Sequence, residues 1–342
     1  MKLAPGKLPC RILDRLLKKY TSNPQKNPNS RVIIGAQIGQ DCAVIDLGTK
    51  YLVSKTDPVT FATDAIGYYA VNINANDIAT SGATPLWFQV TVLLPENKTD
   101  EILVEKIFAD LGKSCDDLGI AWIGGHTEIT FGLDRPILIG SMSGEVEKDR
   151  LITSMGGIPG DAIIITKGIV IEGTAIIAKE REKDLISRGV DQTIIERGKE
   201  LLYNPGLSVV KEAQLLSKTY PIHSMHDPTE GGLAMGLVEL AKNSQCGFEL
   251  DEAKIIFNQD SITLCKIYGL DPLRTITSGT LIATLDPKYS QDAVDLLKKE
   301  GIDASCIGYL TANPKEYLIK SLDGNVSEIK YSEKDEITKI FE

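Results

Sequence analysis

The sequence predicts an α/β (α+β) protein built in two parts, and three observations predict it. Short β-rich runs alternate with helix-periodic segments from residue 31 to about residue 155. A glycine- and proline-rich stretch, Ser154-Met-Gly-Gly-Ile-Pro-Gly-Asp161, then interrupts the alternation. It resumes at Ala162-Ile-Ile-Ile-Thr166 and continues almost to the end. A chain of 342 residues has room for two ordinary domains of roughly 150–200 residues each. The expected division is an N-terminal helix and flexible arm over 1–30, a first domain over 31–155 and a second over 156–342.

In order, Leu8 to Tyr20 has the spacing of a short amphipathic helix. The polar, proline-bearing run after it, to Ser30, reads as a mobile arm that either folds over a ligand or stays solvated. Arg31 to Asp46 reads as strand, turn and strand, with Gly39-Gln40-Asp41 in the turn, and Tyr51 to Thr56 as a strand with Asp57 just past it. Residues 66–79 form an apolar helix that carries Asn72, Asn74, Asn76 and Asp77. Asn72, Asn76 and Thr80 recur at i, i+4, i+8 and so share one stripe. Burying such groups is unfavourable unless they are paired, so the seam serves either an internal hydrogen-bond network or a metal–phosphate ligand.

Pro85 to Leu94 reads as a buried strand. Lys98 to Asp117 reads as a helix with Ile102, Leu103, Ile107, Phe108, Leu111 and Cys115 on one face. Gly119 to Glu128 is a strand ending in Gly124-Gly125-His126-Thr127, and Arg135 to Glu147 is another. Beyond the break, the strand 162–166, the loop Lys167-Gly-Ile-Val-Ile-Glu-Gly173 and the helix after it are expected to make an anion site at a helix start. The loop matches neither a P-loop nor a dinucleotide fingerprint. Charged helices follow over roughly 180–218, then a strand to His226.

In His226-Asp227-Pro228-Thr229-Glu230-Gly231-Gly232, Asp227 is placed as a helix N-cap, Pro228 as the first helical residue and Glu230 as its capping-box partner. Gly231 and Gly232 weaken a first helical turn by about 1 kcal/mol each, which suits a ligand or another backbone approaching closely. Pro272 to Thr284 reads as strand, turn and strand, Tyr289 to Glu300 as a helix, Ala304 to Leu310 as a strand, and the charged end as frayed.

Composition narrows the function classes. Thirty-seven basic against 47 acidic residues give a net charge of −10, which leaves no global basic footprint for nucleic acid. No apolar run approaches a membrane span of about 20 residues, and the N-terminus lacks a signal-peptide core. The 6 cysteines are scattered without a CxxC pair, as expected of free thiols in a reducing cytoplasm. Only 3 histidines are present, which argues against a His-rich metal site.

Five ordered segments resemble the superfamily of aminoimidazole ribonucleotide synthetase, over roughly residues 31–310. That superfamily also holds thiamine monophosphate kinase, selenophosphate synthetase and HypE-like hydrogenase maturation proteins. Gly39-Gln40-Asp41-Cys42-Ala43-Val44 is similar to the family's Gly-Asp-Asp-Ala-Ala-Val, and Thr56-Asp57 to its Thr-Asp. Asn76-Asp77-Ile-Ala-Thr-Ser-Gly82-Ala-Thr-Pro85 resembles its Asn-Asp-(Leu/Ile)-Ala-x-x-Gly-Ala-x-Pro and is the most specific match. Gly124-Gly125-His126-Thr127 resembles Gly-Gly-(Asp/Glu)-Thr, and Asp227-Pro-Thr-Glu-Gly-Gly-Leu-Ala234 resembles the Asp-Pro-Thr-Arg-Gly-Gly-Leu-Ala of HypE-like members.

The resemblance implies a two-domain α/β fold whose first domains pair into a homodimer through a shared β-barrel. ATP and Mg²⁺ would bind beside that interface. Asp41, Asp57 and Asp77 would ligate the metal, and Asp57, Asp77 and Asp227 would be the catalytic carboxylates. Lys55, Thr56, Asn76, His126, Thr127, Thr229, Gly231 and Gly232 would contact the nucleotide. Hard carboxylate oxygens suit Mg²⁺, and positioning with charge neutralisation is most of what phosphoryl transfer needs.

This chain departs from the pattern at four places. Gln40 replaces an aspartate, His126 replaces an acidic residue, and Glu230 replaces an arginine. His126 is either a phosphate contact or a structural histidine. The sequence as given ends Asp335-Glu-Ile-Thr-Lys-Ile-Phe-Glu342, where HypE-like proteins end in a cysteine that carries their substrate; Cys306 falls in an expected strand instead. Self-modifying dehydration is therefore not expected in its usual form. Cys10 lies where selenophosphate synthetase carries a reactive residue, but without the surrounding glycine-rich pattern it reads as incidental.

The resulting expectation is a cytoplasmic, ATP- and Mg²⁺-dependent enzyme that activates an unidentified small substrate by phosphoryl transfer. The alternatives are a small-molecule kinase similar to thiamine monophosphate kinase, or a non-catalytic nucleotide-binding partner of a maturation protein.

Overall fold

The structure, a computed structural model, describes residues 8–21, 31–37, 40–60, 64–332 and 334–341. The expected mobile arm (22–30) and Gly39 lie outside the described residues. Among the described residues, no helix is long and apolar enough to cross a membrane.

Helix α1 (Cys10–Tyr20) precedes a six-stranded sheet. The sheet is built from β1 (Val32–Ile34), β2 (Ala43–Asp46), β3 (Lys50–Val59), β4 (Thr84–Pro95), β5 (Ala121–Thr130) and β6 (Ile137–Glu147). Its order is β1-β2-β3-β6-β4-β5, with β4 and β5 parallel and the other pairs antiparallel. The sheet is open, with β1 and β5 at its edges.

Helix α2 (Ile66–Thr80) packs on one face beside α3 (Glu101–Leu118). Strand alternation then sorts the side chains. Val53 and Val59 on β3, Phe88, Val90, Val92 and Leu94 on β4, and Leu138, Met142 and Val146 on β6 turn toward the helices and are buried. The opposite face, with Ser54, Thr91, Ile139 and Ser141, is only half-buried.

The second half carries a seven-stranded sheet, order β13-β12-β9-β11-β7-β10-β8. It begins with β7 (Ala162–Thr166), α4 (Ile171–Glu180), α5 (Glu182–Ser187), α6 (Gln192–Glu200) and α7 (Val210–Thr219). Then come β8 (Ile222–His226), α8 (Gly232–Asn243), β9 (Gly247–Asp251), α9 (Gln259–Ile267) and β10 (Ile282–Leu285). The chain closes with α10 (Ser290–Lys299), β11 (Ala304–Thr311), β12 (Tyr317–Lys320) and β13 (Val326–Glu328).

Every residue of β7 is buried, as its uninterrupted β-branched run requires. Ile163 and Ile165 pack into a core with α4, α6, α8 and α9, whereas Ala162 and Ile164 pack into a second core. That second core runs through α7 and α10 into α2 and the first sheet. Helix α2 also touches α7 and β8, so it lies between the two halves. This is why it is apolar nearly all round.

Several expectations are corrected. On α3, Ile107, Leu111 and Cys115 are buried, but Ile102 is 77% and Phe108 37% exposed, because only a narrow stripe faces α2. Residues 272–280 do not form a strand: Pro272–Arg274 is a 3₁₀ turn followed by a buried loop, and only β10 is extended. The C-terminal segment is not frayed, since Glu336–Phe341 forms a 3₁₀ helix that buries Ile337 and Ile340. The expected helix cap at Asp227 does not form; α8 starts at Gly232, its cap is Gly231, and no side chain caps it. Cys306 lies on β11 as expected, and Cys42, Cys115, Cys246, Cys265 and Cys306 are free thiols.

Candidate functional site

The site forms where the loop before β2, the middle of β3, the last turn of α2 and the end of β8 meet. On β3, residues two apart share a face, so Lys55 and Asp57 point together toward α2 while Thr56 points away. The Lys55 Nζ lies 3.2 Å from Asp77 Oδ2 and 3.8 Å from Asp57 Oδ2. Asp41, from the loop before β2, has Oδ2 4.0 Å from Nδ1 of His226. The Nε2 of His226 is 3.2 Å from Glu239 on α8. Asp227, the next residue, is buried.

Five carboxylates therefore surround two cationic side chains, and their protonation reflects the crowding. Asp77 is held well above the ordinary carboxylate range by burial and by the charge of Asp227, with Asp41 and Asp57 adding to it. Asp227 is pushed up to about 7, chiefly by burial, although His226 pulls it back. Burial alone would lower the Lys55 ammonium, but Asp77, Asp57 and Asp41 reverse this and hold it charged. His226 behaves alike: its hydrogen bond to Glu239 and the charges of Asp41 and Asp227 outweigh burial, and it titrates at about 9. Cys42 donates to the Asp77 carbonyl (3.3 Å), and its thiol is pushed well up by burial first and Asp77 second, so it is not a thiolate nucleophile.

The amides of α2 have a different role from the carboxylate. Asn76 donates to the Leu207 carbonyl (2.9 Å) and accepts from the Val209 N–H (2.8 Å), which fastens the second half to the first. Asn72 and Asn74 donate back to the carbonyls of Tyr68 and Ala70, each at 2.8 Å, and Thr80 to that of Asp77 at 3.0 Å. Asn74 also reaches the backbone carbonyl of Asp57 (3.4 Å), which helps place that strand residue. The seam is thus an internal network along the helix, and Asp77 is its member that faces the cluster. The Thr56 hydroxyl is likewise engaged, by Gly140 O at 2.7 Å.

Strand β5 is not part of this gathering. Two strands, β6 and β4, lie between it and β3, a span of roughly 14 Å at about 4.8 Å per strand. His126 is exposed and sits 3.4 Å from Glu128, and Thr127 is exposed too. A Cβ on Gly125 would come within 1.9 Å of the Val90 carbonyl. That glycine is required by strand packing.

Thr229 accepts from the N–H groups of Gly232 and Thr277 through its carbonyl. Gly231 and Gly232 both have positive φ, 83° and 64°. A Cβ on Gly232 would sit 2.7 Å from Leu273 O and 2.6 Å from Thr275 O, so the close approach there is by another backbone. His226 and Glu239 belong to the cluster but were not among the expected site residues. His226 adjoins Asp227 in sequence, which is a usable signal; Glu239 becomes a neighbour only because α8 folds back along β8.

The oxygen-only carboxylate set fits a hard divalent cation in chemistry. In arrangement it surrounds Lys55: among the described residues, no three His, Cys, Asp or Glu side chains group closely enough to hold a metal ion. Beside Asp41, the Gln40 Nε2 is buried without a hydrogen-bond partner. It is a donor, suited to an anionic oxygen and unable to ligate a metal.

Comparison with known proteins agrees with this architecture. The AIR synthase related protein N-terminal domain family matches residues 39–146, and the C-terminal domain family matches residues 159–321. A Methanocaldococcus jannaschii protein named as a hydrogenase expression/formation protein is 29% identical over 298 residues, 85% of each chain. A carbamoyl dehydratase HypE from Rhizobium leguminosarum bv. viciae is 28% identical over 272 residues, 78% of this chain and 73% of that one. The crystal structure of a hydrogenase maturation protein HypE in complex with ATP superposes with a TM-score of 0.68 at 22% identity, covering 94% of this chain and 95% of that one. With both of its halves matched in order, the chain belongs to the AIR synthase related protein family.

Proposed function

We propose that this protein is an ATP- and Mg²⁺-dependent enzyme that activates a small substrate by phosphoryl transfer. The observation that carries the proposal is the cluster itself. Among the described residues, Asp41, Asp57, Asp77, Asp227 and Glu239 gather around Lys55 and His226, and burial with mutual repulsion holds Asp77 and Asp227 above their ordinary range. Such a site is short of positive charge. Asp41, Asp57 and Asp77 are the residues that would have to draw together to hold Mg²⁺, since they do not converge closely enough as they stand; when bound, the ion would supply charge neutralisation at the phosphates.

The chain's own residues have separate tasks. Lys55 offers a fixed ammonium to a phosphate oxygen, and the unpartnered Gln40 Nε2 offers a neutral donor. Asp227 is the carboxylate placed to accept a proton from an attacking substrate hydroxyl, and burial keeps its proton affinity near neutrality. In the transfer, the bond from the γ-phosphorus to its bridging oxygen breaks, a bond to the substrate oxygen forms, and ADP leaves. The HypE relatives, one named a carbamoyl dehydratase and one solved with ATP, support this class of chemistry.

The proposal includes a homodimer. The half-buried face of the first sheet and the bare strand β5, with Ile123 56% and Ile129 60% exposed, make a surface that a second copy would cover. Calorimetric titration of ATP, with and without Mg²⁺, into wild type and Asp77→Asn tests the site. Metal-dependent binding that the variant loses is expected; equal binding by both proteins would sink the assignment.

A further inference from the structure

Outside the carboxylate cluster, the loop that leads from β7 into α4 holds a second group of polar atoms. The sequence there suggests an anion site, but the structure makes it acidic. The Val170 N–H is taken by the Thr277 hydroxyl and the Gly173 N–H by the Ile276 carbonyl. The side chain in that first turn is Glu172, only 6% exposed, and its Oε2 has no hydrogen-bond partner. The hydroxyl of Ser278, 2% exposed, is also buried without a partner. Ser278 lies beside the Glu172 carboxyl, and its hydroxyl and N–H lower the proton affinity of that carboxyl, but neither Ser278 Oγ nor Glu172 Oε2 is within full hydrogen-bond distance of a partner.

The surroundings decide the sign of the missing partner. Glu230 and Asp335 add negative charge at Glu172, whose own charge is felt by the Tyr69 hydroxyl of α2. Asp335 is itself satisfied, accepting from the N–H groups of Gly231, Ile276 and Ile337. Burial first raises Glu172 to about 7, with Ser278 pulling it back and Glu230 and Asp335 adding to the rise.

We infer that Glu172 and Ser278 form a binding site for a small cationic group, an ammonium, amidinium or guanidinium. On the proposed function, that group is carried by the acceptor substrate. Glu172 Oε2 accepts from its N–H, Ser278 Oγ takes a second N–H, and Glu230 at the exposed edge attracts the charge. The site is tied to the carboxylate cluster through the chain, since Asp227 and Glu230 belong to one short loop.

The test titrates methylguanidine and ethylamine into wild type, Glu172→Gln and Glu230→Arg, with acetamide and acetate as neutral and anionic counterparts. Saturable binding of the cations is expected, weakened about tenfold or more in either variant, as expected for loss of a charged hydrogen-bond partner. Glu230 is exposed, so its substitution reads the pocket even if Glu172→Gln disturbs folding. The inference is overturned if acetamide or acetate binds as well as the cations. It is equally overturned if no cation saturates wild type, or if both variants bind methylguanidine unchanged. ATP with Mg²⁺ titrated into the same wild-type sample separates the two readings: cation binding without ATP binding removes the nucleotide proposal and keeps the pocket.

Discussion

The carboxylate cluster around Lys55 and the Gly124-Gly125-His126-Thr127 strand share the first sheet, and they differ in what lies over them. Helix α2 and the end of β8 press Asp77 and Asp227 out of water, against other carboxylates, and their protonation shifts as a result. Strand β5 is a sheet edge, touched by α3 at Trp122, and its residues are almost all exposed. Electrostatic perturbation follows burial and convergence, not the chemical look of a motif. An aspartate in a buried helix beside other carboxylates cannot avoid being perturbed.

The sharpest way to break this contrast is Asp77→Asn. Removing one charge from an overcrowded cluster relieves repulsion, so the fold should persist. Metal-dependent ATP binding should fall on the order of 100-fold, the scale for deleting one partner of a buried charged contact. Thermal unfolding measured beside calorimetry checks both halves of that expectation. A fold intact with binding also intact would make the cluster structural.

Asn76→Ala, one residue away, should do the reverse. It leaves the carboxylates in place and removes both buried hydrogen bonds to Leu207 and Val209. A loss of about 2–3 kcal/mol in stability is expected from two such bonds. Urea denaturation measures it. A loss below about 0.5 kcal/mol would mean that the two halves are held together without this clasp.

Glu172 extends the comparison to a carboxylate that is buried outside the cluster. Its folded-state value of about 7 exceeds the ordinary 4.5, so the folded protein binds the extra proton and the unfolded chain does not. Stability from this group is therefore intact below about pH 4.5 and is lost as pH rises toward 7. Glu172→Gln should stabilise the fold by roughly 1–2 kcal/mol at pH 8 and change its stability little at pH 4.5, as thermal unfolding at the two pH values would read. An effect equal at both pH values would show that the carboxyl is not perturbed.

Much of the architecture was legible because periodicity and punctuation report local structure. The all-buried β7, the helix at 66–80 and the glycine-rich break at 154–161 each announce themselves in a few residues. The gathering of Asp41, Asp57 and Asp77 was legible only through the family resemblance. Their separations of 16 and 20 residues carry no geometry until β3 and α2 are packed together.

What could not be read depends on tertiary contacts. The capping pattern at Asp227 is locally well formed, yet the backbone of 273–275 crowds Gly232 and the helix starts there instead. The charged C-terminus looked solvated, but Asp335 found three backbone N–H groups that nothing nearby in sequence announces. Glu239 joined His226 for the same reason.

The smallest effect is expected at His126, and it bears most directly on the contrast. In the single chain its imidazole is exposed, about 14 Å from the β3 carboxylates, and its pairing with Glu128 is of the kind that contributes between 0 and about 1 kcal/mol. His126→Ala should therefore change stability by less than about 0.5 kcal/mol and ATP–Mg²⁺ affinity by no more than about threefold. Titrations at protein concentrations on either side of the proposed dimer's dissociation midpoint, sought by analytical ultracentrifugation, make the measurement discriminating. If affinity falls tenfold only at the concentration where dimers form, β5 of a second copy reaches the cluster, and what separates the two regions is the assembly state, not the sequence motif.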